Sequence, residues 1–193
     1  MEDIRLALQQ LIRFSEPELA TLLQDSRSLS LTKRELLLQV GQPVDWVYFI
    51  QSGWLRVILT DISGKEHSVH FARAGEFITD YTSFLKGQVA CYSLQALTPL
   101  AVLALPRSGI EWGYQHMEEG DRLGRLIAEH YFVYQDQRLR ALYTVPPKVR
   151  YDQLEALFPN LHQHAPQHMV ASYLGITPIH LSRLKKAALT SKS

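Results

Sequence analysis

Between Leu29 and Leu105 short apolar stretches alternate with turn signals, and no helical pattern separates them. Residues 35–40 run into Gly41-Gln42-Pro43, and residues 46–51 into Ser52-Gly53. Residues 54–60 alternate and meet Asp61-Ile62-Ser63-Gly64-Lys65, a hairpin turn, after which 66–72 run back to Ala74-Gly75-Glu76. Residues 92–96 and 101–105 form two more stretches, divided at Thr98-Pro99. Strands at this spacing, without helices between them, predict an antiparallel barrel or jelly roll.

The flanks have a different period. Ile4, Leu8, Leu11 and Ile12 recur at helical spacing. Ser15-Glu16-Pro17-Glu18 predicts a second helix start, with Ser15 as N-cap and Pro17 near the first turn. Residues 111–143 contain no proline, and Leu123, Ile127, His130, Tyr134, Gln137 and Ala141 fall at alternating spacings of four and three. Two readings are open for them: the seam of a dimeric coiled coil, or an amphipathic helix packed on the barrel. Pro146-Pro147 stops the helix and marks a hinge, and the remainder of the chain is short and helical. The predicted class is α+β. It has a barrel with N-terminal helices over 1–110, a long dimerisation helix over 111–145, and an all-α unit over 146–193.

No apolar run reaches the roughly 18 residues that span a bilayer. Met1-Glu2-Asp3-Ile4 lacks a basic-then-apolar leader, so a cytoplasmic protein without a membrane partner is expected. The single cysteine, Cys91, allows no internal disulfide and no cysteine-ligated iron–sulfur cluster, and is expected to be a small buried residue. Net charge is +1, but beyond residue 147 the bases Lys148, Arg150, Arg183, Lys185, Lys186 and Lys192 face only the acids Asp152 and Glu155. A local basic patch, rather than a basic whole, is what nucleic acid requires.

That tail contains a specific pattern. Val170, Ala171 and Leu174 line one face of a first helix, with Ala171 small where a second helix crosses. Gly175 stands at a sharp turn that commonly demands positive φ. Ile176 is expected to be buried there, Thr177 to cap the second helix and Pro178 to begin it. Leu181 and Leu184 face back, and Ile179 is expected to turn at least partly inward with them. Pro178, His180, Ser182, Arg183 and Lys186 then face outward, with donors and no acid. This predicts a helix-turn-helix on double-stranded DNA, with Arg183 suited to a guanine edge and Lys186 to a phosphate. Gln167 and Thr177 stand at helix N-termini, placed for the DNA backbone.

The order of parts resembles the Crp/Fnr family of bacterial transcription regulators. The resemblance rests on Asp45-Trp46-Val47-Tyr48-Phe49-Ile50-Gln51-Ser52-Gly53, on Gly75-Glu76-Phe77-Ile78 and on residues 171–178, while the runs 82–88 and 92–97 resemble its Bacteroidetes-type branch. It implies a cyclic-nucleotide-binding-like barrel, a homodimer on a palindromic operator, and RNA polymerase as a further partner. In that family the pocket uses a Gly-Glu pair, and an Arg-Ser or Arg-Thr pair holds the cyclic phosphate. This chain has Thr79-Asp80 and Ala90-Cys91 at those places, and Asp80 would repel a phosphate. A cyclic nucleotide is therefore not expected as cofactor. The corresponding pocket residues would be Glu76, Thr79, Asp80, Tyr81, Cys91 and Tyr92. Haem occurs in relatives, but Cys91, His67 and His70 read first as simple strand residues. The family commonly has Glu where this chain has Ile179, which implies altered base reading.

His162, His164 and His168 have a spacing that could chelate a metal, against the favoured reading of incidental histidines in a polar connection. No nucleophile–base–acid set stands out, so no enzyme is expected. The alternative to a DNA-binding regulator is a small-molecule sensor whose helix-turn-helix is vestigial or contacts protein.

Overall fold

The computed structural model describes residues 2–190. Met1, Lys192 and the end of the 146–193 segment lie outside them. Helices α1 (Glu2–Gln9) and α2 (Glu16–Leu22) precede strands β1 (Arg27–Leu31), β2 (Leu36–Leu38), β3 (Trp46–Ser52), β4 (Trp54–Thr60), β5 (Glu66–Arg73) and β6 (Phe77–Ile78). Helix α3 (Tyr81–Lys86) leads to β7 (Ser93–Ala96) and β8 (Leu100–Pro106). The chain then becomes helical: α4 (Arg107–His116), α5 (Gly120–Thr144), α6 (Pro147–Leu157), α7 (Leu161–His164), α8 (Gln167–Tyr173) and α9 (Pro178–Thr190).

Local chemistry explains the boundaries. Ser15 and Glu18 form a reciprocal capping box that starts α2, as the sequence predicts. The β4–β5 hairpin turns on Asp61, whose Oδ1 accepts the amides of Ser63 (2.9 Å) and Lys65 (3.1 Å). The strands form two antiparallel sheets, ordered β1-β8-β3-β6 and β2-β7-β4-β5. This is the predicted jelly roll.

Alternation decides what each sheet covers. Leu100, Val102 and Ala104 of β8 point inward to Tyr48, Ile50, Leu55 and Leu94. Leu103 and Leu105, with Phe49, point outward and are covered by Ile4, Leu8, Leu19, Leu22 and Leu123. The other sheet is covered too. Trp54 and Phe71 leave the barrel and enter a core with Leu154, Phe158, Val170 and Tyr173 of the C-terminal helices. A bulge between Val57 and Ile58 lies opposite the stretch from Ser68 to His70. The extra residue lets the successive side chains of His70 and Phe71 both reach the helical layer.

The long helical stretch departs from expectation. Residues 111–143 are two helices, broken between His116 and Gly120. A Cβ at Gly120 would stand 2.1 Å from the carbonyl oxygen of Gly113, so the close turn between α4 and α5 depends on glycine. Helix α4 starts at Arg107, so the boundary set at 110 falls inside it. Part of the expected seam faces its own protomer: Leu123 and Ile127 pack with the N-terminal helices and Tyr134 packs on β5, while His130 and Gln137 are exposed. The exposed large apolar residues on α5 are instead Phe132 (71% exposed), Val133 (49%), Leu139 (56%), Leu142 (36%) and Tyr143 (83%). No described helix is long and apolar enough to cross a membrane.

Phe71 is fully buried where barrel and helices meet, in ring contact with Phe158 and Tyr173. Phe71→Ala is expected to lower stability by about 3–5 kcal/mol in urea unfolding. A loss below about 1 kcal/mol would contradict this packing.

Candidate functional site

The helix pair α8–α9 forms as its residue pattern requires. Val170, Ala171 and Leu174 are buried at 0–2% exposure, and Leu181 of α9 closes onto them. Gly175 has φ +66°, the left-handed turn that glycine permits without a Cβ clash. Thr177 Oγ1 accepts the amide of His180 (3.2 Å), which caps α9 ahead of Pro178. Ile176 is half-buried in the turn.

Pro178, His180, Ser182, Arg183 and Lys186 are all exposed, as are Gln167 at the start of α8 and Thr177 at the cap. Arg183 forms no ion pair with the described residues. Ile179 differs from the expectation: it is 69% exposed and stands on the outer face. Its place in the first turn of α9, ahead of the inward Leu181, rotates it away from α8. The basic tail is also smaller than its residue count implies. Lys148 pairs with Asp152 (2.6 Å), and Arg150 is directed at backbone carbonyls.

Arg150 belongs to a joint that a charge tally does not reveal. Its Nη1 donates to the carbonyls of Ala141 (3.1 Å), Leu142 (3.1 Å) and Val145 (2.7 Å) at the end of α5. Its Nη2 donates to Leu174 (2.8 Å), where α8 ends. Arg138 of α5 lies over the Tyr173 ring (3.7 Å) and donates to the Tyr173 carbonyl (2.8 Å). Both cations therefore meet carbonyls at helix C-termini, where positive charge is favoured. Ser172 Oγ accepts the amide of Ser68 (3.0 Å), which fastens α8 to β5. His70 Nδ1 shares a hydrogen bond with the Tyr134 hydroxyl (2.6 Å), and its ring meets Tyr134 and Phe158 edge-on. Burial, aided by the charges of Arg138 and His130, pulls the His70 imidazole down to about 4, so it is neutral near pH 7.

Of the six residues matched to the family's ligand pocket, Asp80, Cys91 and Tyr92 are brought together by hydrogen bonds, whereas Glu76 lies at another groove. Asp80 is 2% exposed and N-caps α3. Its Oδ1 accepts the Ser83 amide (3.2 Å), and its Oδ2 accepts the Ser83 hydroxyl (3.0 Å) and the amides of Cys91 (2.7 Å) and Tyr92 (3.2 Å). Cys91 is exposed, contrary to expectation: its amide turns in to Asp80 and its side chain turns out. Thr79 donates to the Trp46 carbonyl (2.9 Å). Tyr81 packs on Tyr131. Glu76 pairs with Arg73 (3.5 Å), and burial raises its carboxyl above the usual range. Glu76 instead borders a groove of about 780 Å³ with Trp54, Arg73, Asn160 and His164, at the junction with the helices.

The three histidines diverge. His164 stacks on Trp54, His162 lies against Tyr151, and His168 is exposed on α8. Among the described residues no group of three or more His, Cys, Asp or Glu could hold a metal ion.

Residues 28–116 match the cyclic nucleotide-binding domain family. Neuropathy target esterase sws of Drosophila melanogaster is 29% identical over 108 residues, which are 53% of this chain and 8% of that protein. The chain thus spans under a tenth of the curated relatives it matches. Among solved structures, FixK2 from Bradyrhizobium japonicum superposes with a TM-score of 0.75 at 15% identity, covering 86% of each chain. The c-di-GMP responsive global regulator CLP of Xanthomonas campestris gives 0.68 at 14% identity, over 92% of this chain and 93% of that one. The Thermus thermophilus catabolite activator protein gives 0.54 at 19% identity, over 92% and 85%. At these identities the likeness is one of fold.

This geometry has two measurable outcomes. Asp80→Ala leaves three amides, that of Ser83 buried, without their acceptor and is expected to cost about 2–4 kcal/mol in urea unfolding, with Asp80→Asn recovering part of it. His70 contributes stability that is complete above about pH 6.5 and is lost as pH falls toward 4, because only the unfolded chain takes up the proton there. The stability difference between the wild type and His70→Gln should accordingly shrink by about 3 kcal/mol over that interval. A pH-independent difference would contradict the buried neutral imidazole.

Proposed function

We propose that this chain is a homodimeric, DNA-binding transcription regulator of the Crp/Fnr type, with α9 as its reading helix. One observation carries the reading: α9 has a buried Leu181 on one side and an exposed, acid-free face of Pro178, His180, Ser182, Arg183 and Lys186 on the other. A helix offering donors and cations without a carboxylate is suited to a polyanion. The regulators with which it shares a fold support this reading, and the finer placing in a Bacteroidetes-type branch rests on residues 82–88 and 92–97 alone.

Dimerisation is proposed along α5, through the exposed Phe132, Leu139 and Tyr143 rather than through the Leu123-to-Ala141 seam. Two copies would offer two reading helices to successive major grooves about 34 Å apart, which favours a palindrome. RNA polymerase is a proposed further partner and the cytoplasm the proposed location. No catalytic role is proposed, since the esterase relative shares only 8% of its length. The barrel is proposed not to take a cyclic nucleotide. Ala90 stands where the family's phosphate-binding arginine would be, and the nearby amides of Cys91 and Tyr92 already hold the Asp80 carboxylate.

Ile179 favours a second reading, because an exposed apolar residue on the outer face suits a protein contact. Salt separates the two: phosphate contacts make affinity fall steeply between low and physiological salt. On a duplex selected from a random pool, Arg183→Ala is expected to weaken binding about tenfold or more in fluorescence anisotropy, while sedimentation still reports a dimer. Unchanged affinity would remove Arg183 from the interface. Absence of any salt-dependent DNA binding would favour the protein-contact reading.

A further inference from the structure

A cavity of about 300 Å³ lies where α5, α6 and α8 meet, and Tyr134, Gln137, Arg138, Arg150, Gln153 and Tyr173 supply its polar lining. The rest of the wall is alanine and leucine. No aspartate or glutamate lines it. Two guanidinium groups thus share one partly apolar space, and among the described residues neither forms an ion pair.

Backbone carbonyls satisfy much of their hydrogen bonding but not their charge. The two helix ends they meet supply roughly half a negative charge each, against two full positive ones. Each charge also weakens the other: burial and the neighbouring Arg138 lower the proton affinity of Arg150. The Arg150 Nε–H, moreover, is buried and has no acceptor. An unpaired donor beside unneutralised cations in an apolar wall is costly unless an acceptor with negative charge arrives.

We propose that this cavity binds a small organic anion, a carboxylate or phosphate monoester on an apolar body, with Arg138 and Arg150 holding the charge. The two side-chain amides, Gln137 and Gln153, can add neutral donors at the rim. The volume admits on the order of ten heavy atoms, at about 30 Å³ for a water-sized group. The walls come from both sides of the Pro146-Pro147 break, so a bound anion would brace α8 against α5. The site stands on this packing alone and does not depend on the DNA-binding reading.

Thermal unfolding of the full chain at constant ionic strength tests it, with phenyl phosphate and benzoate as probes and benzamide as the neutral isostere. The anions should raise the midpoint saturably, by about 3 °C at ten times the dissociation constant, and benzamide should not. Arg138→Gln should weaken the response at least tenfold. Because that change also removes a contact to Tyr173, Gln153→Glu serves as an independent arm. Gln153 is exposed, and a glutamate there places a carboxylate at the cavity. Gln153→Glu should raise the midpoint without any probe and abolish the response to both anions. The proposal is overturned by an equal shift with benzamide, by no saturable shift with either anion, or by a Gln153→Glu protein that is no more stable and responds as the wild type does.

Discussion

A sheet that is apolar on both faces must be covered twice. Antiparallel sheets commonly leave one face to water and show it as an alternation of polar and apolar residues. Strand β4 does not, since every residue from Trp54 to Ile58 is buried. Leu55 and Val57 fill the barrel, while Trp54 turns outward beside Phe71 of the neighbouring strand. Arg56 is buried among them at 3% exposure and is held by Ser68 and Glu66, both at 2.8 Å. The arrangement of the rest depends on this requirement. The C-terminal helices lie where they do because that second face has to be removed from water, and α6, α7 and α8 supply the residues that do it.

The same requirement makes the proline break a joint rather than a free linker. Pro146-Pro147 ends α5 by removing amide donors, which leaves the carbonyl of Leu142 in need of a partner, and that of Val145 follows at the helix cap. Arg150 donates to both, and its other arm reaches the end of α8. One side chain thus connects the long helix to the first helix of the turn motif. Arg138 makes a second such link, and His70 with Tyr134 ties both to the barrel. Any movement of α8 relative to the barrel has to break several of these contacts together.

How much of the fold and the site is legible in the sequence depends on how local the cause is. Strand β4 is readable to the residue because its apolar run and the Asp-x-Ser-Gly turn that ends it are neighbours in the chain. The α8–turn–α9 pattern is readable because small, left-handed and apolar positions fall at fixed spacings within it. Strands β1 and β6 are not, since Arg27–Leu31 is mostly exposed, Phe77–Ile78 is two residues long, and both exist only through their partners in the sheet. The break between α4 and α5 carries no proline, and its signal is the pair Gly113 and Gly120. Asp80 reads as a charge set against a ligand, whereas its main role is to gather amides eleven and twelve residues away. Cys91 is expected inside because cysteines usually are, but the direction of one peptide group decides otherwise. Ile179, given an inward place by its apolarity, lies outside because the helix phase is set by Leu181.

The shared core around Phe71 has a bearing on how the chain is made. Synthesis proceeds from the N-terminus, so β1 to β8 can close before the residues from Pro147 onward have left the ribosome. Until those residues arrive, Trp54 and Phe71 form a sticky patch on an otherwise finished barrel. That patch is a template on which the last helices can condense one after another. It is also a hazard for any nascent chain that stalls near the double proline, because a product ending there would carry an uncovered aromatic surface.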